Sequence, residues 1–195
     1  EGSHTFEVRV SDAVGNTATA ARSFSVDTTA PTVAITNGPS GPTNVNPPTF
    51  SFTHGTDAAT VECRVDTGAF APCTSPHTPV VLPQGARSFE VRATDAVGNQ
   101  VTVSRSFTID TAPPTITITS GPSGPTNSNP PAFSFTAGAD ATTVECRVDT
   151  GGFGPCTSPH TTAVLPQGNR TFEVRVTDAL GNQATVSRTF SIDTT

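Results

Sequence analysis

Apolar and polar residues alternate in short runs along this chain, and no stretch repeats with the period of a helix. Near its middle, Phe89, Val91 and Ala93 fall on one side of such a run, while Glu90 and Arg92 fall on the other. Runs of this kind, separated by turns rich in Gly, Pro and Asn, are typical of β-strands. The pattern therefore predicts an all-β protein.

The pattern repeats every 83 residues. Residues 27–109 align with residues 110–192 without gaps, and 62 of the 83 aligned positions are identical. Residues 1–26 match residues 84–109, so we expect them to be the last two strands of a preceding, truncated repeat. Residues 193–195 would begin the next linker. We therefore expect the chain to be a window of a longer array, with a strand-exchange filament as the alternative.

Each full repeat contains about seven predicted strands. In the first repeat they occupy residues 32–36, 49–53, 60–66, 69–73, 77–82, 87–94 and 100–109. Residues 38–48 are rich in Pro and Gly, which predicts loop or polyproline II structure there. Short strands of this number fold as two packed sheets. We predict tandem seven-stranded antiparallel β-sandwich domains.

Two segments resemble known extracellular repeats. Residues 82–99, Leu-Pro-Gln-Gly-Ala-Arg-Ser-Phe-Glu-Val-Arg-Ala-Thr-Asp-Ala-Val-Gly-Asn, resemble the E–F corner, F strand and F–G turn of fibronectin type III and bacterial immunoglobulin-like repeats. Residues 27–32, Asp-Thr-Thr-Ala-Pro-Thr, resemble the linker between such repeats in large bacterial surface proteins. The resemblance implies an immunoglobulin-like fold. It lacks one feature, the corner Tyr, whose space Phe89 or a neighbour must fill.

The four cysteines lie at matching places in the two repeats. They form two pairs around a Thr-Gly turn, Cys63 with Cys73 and Cys146 with Cys156. An antiparallel hairpin brings such positions within the ~7 Å that a disulfide requires. We predict one hairpin disulfide per repeat and therefore an oxidising, extracellular compartment. The alternatives are reduced core thiols, or a metal site in which His77 joins the first pair without a fourth ligand at zinc-like spacing.

Charge and motifs exclude several function classes. The net charge of −6 and the pI near 5.0 disfavour nucleic acid and anionic membrane surfaces as partners. No apolar run approaches the ~18–20 residues that span a bilayer, so we expect no membrane insertion. The sequence contains no nucleophile elbow, phosphate-binding glycine loop or His-Glu-x-x-His motif. We predict that the protein is not an enzyme.

We expect no cofactor, and calcium is the one ligand that the sequence leaves open. In an immunoglobulin-like sandwich the B–C and F–G loops lie beside the incoming linker, and oxygen ligands from three segments suit Ca²⁺. The candidate ligands are Asp27, Asp57, Asp95 and Asn99 in the first repeat, and Asp110, Asp140, Asp178 and Asn182 in the second. Ordinary turn chemistry is the alternative, because Asp and Asn also cap tight turns.

Two side-chain types remain to be explained. Arg105, like Arg22 and Arg188, shares the parity of the apolar residues in its strand, so either a bulge shifts the register or the side chain snorkels past a sheet edge. A ligand-binding arginine is a further alternative. His77 and its counterpart His160 each follow a proline, and we expect both at the surface.

Our leading hypothesis is a structural one. Near-identical repeats joined by Pro-containing linkers predict a stalk, adhesin shaft or filament that spaces other parts away from a bacterial cell surface. The expected partners are neighbouring repeats of the same chain and, in a filament, like subunits. The alternative is an adhesive or carbohydrate-binding module, for which Phe70 and Phe153 are the best candidates for an exposed apolar contact.

Overall fold

The structure, a computed structural model, describes all residues from Glu1 to Thr195 and consists of strands and turns without a helix. Residues 1–26 form an antiparallel hairpin of β1 (Gly2–Ser11) and β2 (Thr17–Val26). The prediction of an all-β protein is confirmed. No helix of this structure is long and apolar enough to cross a membrane.

Two sheets build the first full repeat. Its strands are β3 (Val33–Asn37), β4 (Pro42–Thr43), β5 (Ser51–His54), β6 (Ala58–Val65), β7 (Ala71–Pro72), β8 (Gly85–Asp95) and β9 (Gln100–Ile109). One sheet pairs β3 with β5, and the other has the order β4-β9-β8-β6-β7. Phe50, Phe52, Phe89 and Phe107 are buried in the core, where the rings of Phe50 and Phe89 stack 4.2 Å apart.

The second repeat has the same plan with one additional short strand. Its strands are β10 (Ile116–Ser120), β11 (Pro125–Thr126), β12 (Ala132–Ala137), β13 (Thr143–Val148), β14 (Gly154–Pro155), β15 (His160–Thr161), β16 (Gly168–Thr177) and β17 (Gln183–Ile192). Its sheets have the orders β10-β12-β15 and β11-β17-β16-β13-β14. The stack of Phe133 on Phe172, 4.1 Å apart, repeats the aromatic centre of the core.

Backbone contacts divide the chain into two compact units. One consists of Glu1–Ser40, Pro47–Val80 and Arg87–Phe107, and the other of Gly41–Asn46, Val81–Ala86 and Thr108–Thr195. These units do not follow the boundaries of the sequence repeats. The division at residues 109 and 110 therefore stays a prediction.

The predicted strand over residues 77–82 is wrong. Only His77 bridges Phe50, and the following residues are irregular. Pro79 has no N–H to donate to a neighbouring strand, and Val80 and Val81 are 79% and 69% exposed. The alternation of residues predicted a strand here, but a proline interrupts the ladder of backbone hydrogen bonds that a strand requires.

The segment predicted as loop contains a short strand, β4. Pro42 and Thr43 run parallel to the end of β9, opposite Thr108 and Ile109. Gly38 precedes this strand with a φ of +123°, and a Cβ there would lie 2.3 Å from Cδ1 of Phe50. Only glycine fits this position, because both the backbone conformation and the core ring exclude a side chain.

Candidate functional site

The turn between β8 and β9 is organised by the carboxylate of Asp95, which is 8% exposed. Its Oδ1 accepts the N–H groups of Val97, Gly98 and Asn99 at 2.9, 2.7 and 2.8 Å, and its Oδ2 accepts Nδ2 of Asn99 at 2.8 Å. Burial alone would raise the pKa of Asp95, but these hydrogen bonds outweigh it and hold the pKa below its ordinary value. Asp178 caps its own turn similarly, and its pKa is lowered for the same reasons.

The capped turn also holds the linker that enters the same repeat. Nδ2 of Asn99 donates to the carbonyl oxygen of Asp27 at 3.0 Å, and Nδ2 of Asn182 donates to that of Asp110 at 3.1 Å. In the N-terminal hairpin, Asp12 caps the equivalent turn, and its Oδ2 accepts a hydrogen bond from Nδ2 of Asn16 at 2.7 Å. The repeats thus use one asparagine for two tasks, closing the turn and fixing the linker.

The structure brings together only part of each predicted calcium set. Asn99 meets Asp27 through the backbone carbonyl of Asp27, whereas the carboxylate of Asp95 faces its own turn. Asp57 and Asp140 are exposed in the loops after β5 and β12. No three acidic, His or Cys side chains gather into a group that could hold a metal ion. Calcium binding stays a prediction, and the observed contacts are those of turn capping.

A disulfide closes the hairpin between β6 and β7 in the first repeat. Cys63 and Cys73 are bonded with their Cα atoms 5.7 Å apart, and Cys146 and Cys156 repeat this bond across β13 and β14. Cys63 is 5% exposed, so the link begins in the core. It ends at Cys73, directly after the two-residue strand β7, which is the outer edge of the five-stranded sheet. The bond thus fixes an edge that has little backbone pairing of its own.

The outer face of the same sheet carries an ion-paired arginine cluster around Phe70. Arg64 pairs with Glu90 and Arg92 with Glu62, each at 2.7 Å across β6 and β8. The guanidinium carbons of Arg64 and Arg92 lie over the Phe70 ring, 4.3 and 4.0 Å from its centre. The ring beneath these ion pairs gives each cation a second contact.

The second repeat builds the same cluster around Phe153. Arg147 and Arg175 lie 4.3 and 4.1 Å from its ring centre and pair with Glu173 and Glu145. Phe153, like its counterpart in the first repeat, is half-buried under these cations. The two rings predicted as candidates for an exposed apolar contact are therefore engaged within their own domains.

The anomalous arginine of β9 is explained by the opposite sheet. Nη1 of Arg105 donates to the carbonyl of Gly38 at 3.0 Å, and Nη2 donates to that of Ile35 at 2.8 Å. The register of β3 shifts between Ile35 and Asn37, so the bulge lies in β3. Arg188 makes the same two bonds in the second repeat, where β17 pairs without a shift. The arginine thus ties the two sheets together.

The two histidines predicted at the surface are half-buried. The ring of His77 lies 5.8 Å from that of Phe89, and its backbone exchanges hydrogen bonds with Phe50. Burial lowers the pKa of His77. Since Cys73 is in a disulfide, the alternative metal site with His77 is wrong. His160 stacks in the same way, so the expected surface position is wrong for both.

The sequence analysis did not identify Asn46, whose side chain takes the place of the predicted strand over residues 77–82. Nδ2 of Asn46 donates to the carbonyl of Leu82 at 2.8 Å, and Oδ1 accepts the N–H of Leu82 at 2.9 Å. Asn129 makes the same two bonds to Leu165. The available signal in the sequence was the Asn-Pro-Pro triplet, which recurs in both repeats. A side-chain amide can both donate hydrogen bonds to a backbone and accept them from it, as a neighbouring strand would.

Several solved structures are similar to the chain. The fibronectin(III)-like modules of Clostridium thermocellum CbhA match with 17% identity and a TM-score of 0.42, covering 83% of this chain and 94% of theirs. A tetra-tandem repeat in the extending region of a large adhesion protein matches with 25% identity, a TM-score of 0.36, and coverages of 99% and 57%. The protocadherin GammaB4 extracellular domain matches with 13% identity, a TM-score of 0.36, and coverages of 98% and 38%.

Two family models match the chain itself. The bacterial Ig-like domain (group 3) matches residues 78–133, and a second bacterial Ig-like domain matches residues 142–194. The first match crosses from one sequence repeat into the next, so it does not test their boundary. No curated protein matches the chain. Because the two matches together span more than half of the sequence and fall on its β-sandwich strands, the protein belongs to the bacterial immunoglobulin-like domains and carries them in tandem.

Proposed function

We propose that the chain is part of a stalk, adhesin shaft or filament that spaces other parts of a protein away from a cell surface. Bacterial immunoglobulin-like domains are typical of extracellular or surface proteins and are typically non-enzymatic modules. Within that class, the spacer role accounts for repeats that are 62 of 83 residues identical. A unique binding site would have no reason to be copied so closely in each unit.

The observation that carries the proposal is the way each linker is bound. The carbonyl of Asp110 accepts a hydrogen bond from Asn182 at 3.1 Å, and the next N–H, of Thr111, donates to Oε1 of Gln84 at 2.9 Å. Pro113 and Pro114 follow, and each has a restricted φ. A linker with two fixed residues and two prolines resists bending, which a spacer needs.

The linker that enters the first full repeat supports the same interpretation. Asn99 binds the carbonyl of Asp27 at 3.0 Å, and the N–H of Thr28 donates to Oε1 of Glu1 at 2.8 Å. Glu1 stands where Gln84 stands one repeat later. The repeated use of one asparagine and one glutamine or glutamate indicates that linker binding belongs to the repeat itself.

Small-angle X-ray scattering tests the spacer role. We expect the chain to scatter as an elongated particle, and the Asn182→Ala variant to scatter as a more flexible one. Asn16→Ala is the matched control, because Asn16 closes an equivalent turn without binding a linker. A compact profile for the unmodified chain would contradict the proposal. Growth of the particle with concentration would instead favour a self-assembled filament.

No contact favours the alternative of a carbohydrate-binding module. The chain has no Trp or Tyr, and the aromatic side chains that the sequence favoured for this role are Phe70 and Phe153. Both rings lie beneath two guanidinium groups of their own sheet. We therefore propose the spacer alone.

A further inference from the structure

One asparagine of the chain is followed directly by a glycine. Of the nine asparagines, only Asn37 has this neighbour, Gly38. The side-chain amide of an asparagine can be attacked by the backbone nitrogen of the next residue, and glycine shields that nitrogen least because it has no Cβ. Asn37 is exposed at the end of β3. The pair is therefore a candidate site for spontaneous loss of the amide.

The backbone nitrogen of Gly38 lies against the side chain that it would attack. Its N–H donates to Oδ1 of Asn37 at 2.8 Å, so the carbon bonded to that oxygen is close to the nitrogen. The nitrogen lies outside the ladder of the sheet, because β3 ends at Asn37, after a register shift that begins at Ile35. A nitrogen within a ladder would first have to give up its hydrogen bond. No strand has to open before Gly38 can react.

The other asparagines in this part of each repeat lack that geometry. The N–H groups that follow Asn44 and Asn127 are each held at 3.1 Å by the hydroxyl of the preceding threonine. Asn46 and Asn129 are followed by proline, which has no N–H. Within these segments, Asn37 alone combines a glycine neighbour with a nitrogen that faces its own side chain.

The fold fixes the glycine of the pair but not the asparagine. Gly38 has a φ of +123°, and a Cβ on it would lie 2.3 Å from Cδ1 of Phe50. Its counterpart Gly121 has the same φ and the same close approach to Phe133, but the residue before it is Ser120. The two repeats therefore share this backbone, and only the first carries the reactive amide.

We propose that Asn37 is a site of self-modification, at which the side-chain amide is lost and part of the chain converts to isoaspartate. The nitrogen of Gly38 bonds to Cγ of Asn37 while the Cγ–Nδ2 bond breaks, and ammonia leaves with the proton of the attacking nitrogen. Water from the solvent then opens the cyclic imide at either carbonyl carbon. Opening at Cγ gives aspartate, and opening at the main-chain carbonyl gives isoaspartate, whose backbone contains an additional methylene.

Isoaspartate at this position disrupts the contacts of Arg105. The guanidinium of Arg105 donates to the carbonyl oxygens of Ile35 and Gly38, at 2.8 and 3.0 Å, and these residues lie on either side of Asn37. A planar guanidinium matches acceptors at a fixed separation. An additional backbone methylene between the two acceptors changes their separation, so the two bonds cannot both persist. The modification therefore loosens the tie between the sheets of the first repeat.

The inference goes beyond the spacer role and does not depend on it, and ageing of the folded chain tests it. The protein is incubated in mildly alkaline buffer, reduced, digested with trypsin and analysed by mass spectrometry, with enzymatic methylation to detect isoaspartate. Cleavage after arginine gives the equivalent peptides 23–64 and 106–147 from the two repeats. We expect aspartate and isoaspartate at Asn37 in the first peptide and no change in the second.

Reciprocal variants locate the site. Asn37→Ser, which copies the second repeat, should abolish the conversion, and Ser120→Asn should create an equivalent one in peptide 106–147.

Urea unfolding measures the effect on the sheets. Aged protein enriched in isoaspartate should unfold at a lower urea concentration than fresh protein, with a midpoint shift close to that of fresh Arg105→Met. Fresh Asn37→Asp is the control for the added charge, because its backbone is normal, and its midpoint should match that of the unmodified protein.

Three outcomes would overturn the inference. One is an intact amide at Asn37 in the folded protein, whether or not the urea-unfolded chain reacts, because the bulge would then protect it. Another is equal conversion at Asn44 or Asn127, which would remove the significance of the Gly38 geometry. A third is conversion to isoaspartate without a change in the urea midpoint, because Arg105 would then keep its contacts.

Discussion

Removing the disulfide of one repeat should lower the melting temperature of that repeat and leave the other unchanged. The Cys63–Cys73 bond closes a loop with a sequence separation of 10. Closing a loop of this length removes about 9 cal/mol/K of chain entropy from the unfolded state, or about 2.7 kcal/mol at 25 °C. An 83-residue repeat has an unfolding entropy of about 175 cal/mol/K, so the shift should be about 15 °C.

Differential scanning calorimetry of the double variant Cys63→Ala, Cys73→Ala gives the measurement. Since the second repeat keeps Cys146–Cys156, it provides an internal reference within the same molecule. The unmodified protein should unfold with overlapping transitions, and the variant should show one of them displaced downward. The double variant Cys146→Ala, Cys156→Ala should displace the other.

Reduction of the unmodified protein separates loop closure from packing. Cys63 is 5% exposed, so its replacement by Ala also leaves a small void that adds up to about 1 kcal/mol. A reduced disulfide keeps the sulfur atoms and loses only the crosslink. A shift below about 5 °C in both the variant and the reduced protein would refute the reasoning, because the crosslink would then not restrict the unfolded chain.

Four further predictions follow from the contacts within the repeats. Replacing Arg105 by Met should destabilise the first repeat by about 2–3 kcal/mol in urea unfolding, because two carbonyls lose a charged donor, whereas Arg22→Met should change unfolding by less than about 0.5 kcal/mol. Since the pKa of Asp95 is lowered by folding, its contribution to stability is present above its ordinary pKa of 3.8 and is lost as pH falls through the folded value, so acid unfolding should be less steep in Asp95→Asn. Phe70→Ala should cost about 1–2 kcal/mol of stability through the lost cation contacts, and an unchanged urea midpoint would contradict this. If turn capping is the whole role of Asp95, calcium and EDTA leave the melting temperature unchanged, whereas a calcium-dependent rise would establish the predicted site.

The alternation of β8 was sufficient to predict its structure. Phe89, Val91 and Ala93 are fully buried, and Glu90 and Arg92 pair with β6 on the outer face. The alternation of residues is informative here because each face of β8 has a matching neighbour, the apolar core on one side and the charged residues of β6 on the other. The disulfides were predictable because a short hairpin brings its two strands within crosslinking distance, although the register places Cys63 opposite Ala71.

The role of Arg105 could be noticed in the sequence but not explained there. Its parity with the apolar residues was visible, yet its acceptors are Ile35 on β3 and Gly38 just after that strand, 70 and 67 residues away. The bulge that exposes those carbonyls is in β3 and leaves no mark on the sequence of β9. The residue pattern of one strand cannot show that a side chain bonds the backbone at a bulge in a different strand.

The prediction of a strand after His77 failed for a related reason. Its apolar residues suggested a strand, but Asn46 bonds the backbone of Leu82 from 36 residues away and takes the place of the ladder. For the calcium set, the sequence placed Asn99 and Asp27 near each other correctly, but it could not show that Asp95 points into its own turn. Distinguishing a cap from a ligand requires the direction of the carboxylate.

The devices found in each repeat act mainly on strands at the edges of sheets. The disulfide and the Phe70 cluster hold β7, and Arg105 holds β3. Unpaired edges invite pairing with other chains, and repeat proteins are prone to exchange equivalent strands between neighbours. That hazard is greatest when neighbours are nearly identical, as they are here at 62 of 83 positions. A crosslink between residues only 10 apart favours the native partner over its copy, because it keeps β7 beside its own β6 throughout folding. The edge devices therefore suit an array whose repeats must remain similar and yet fold separately.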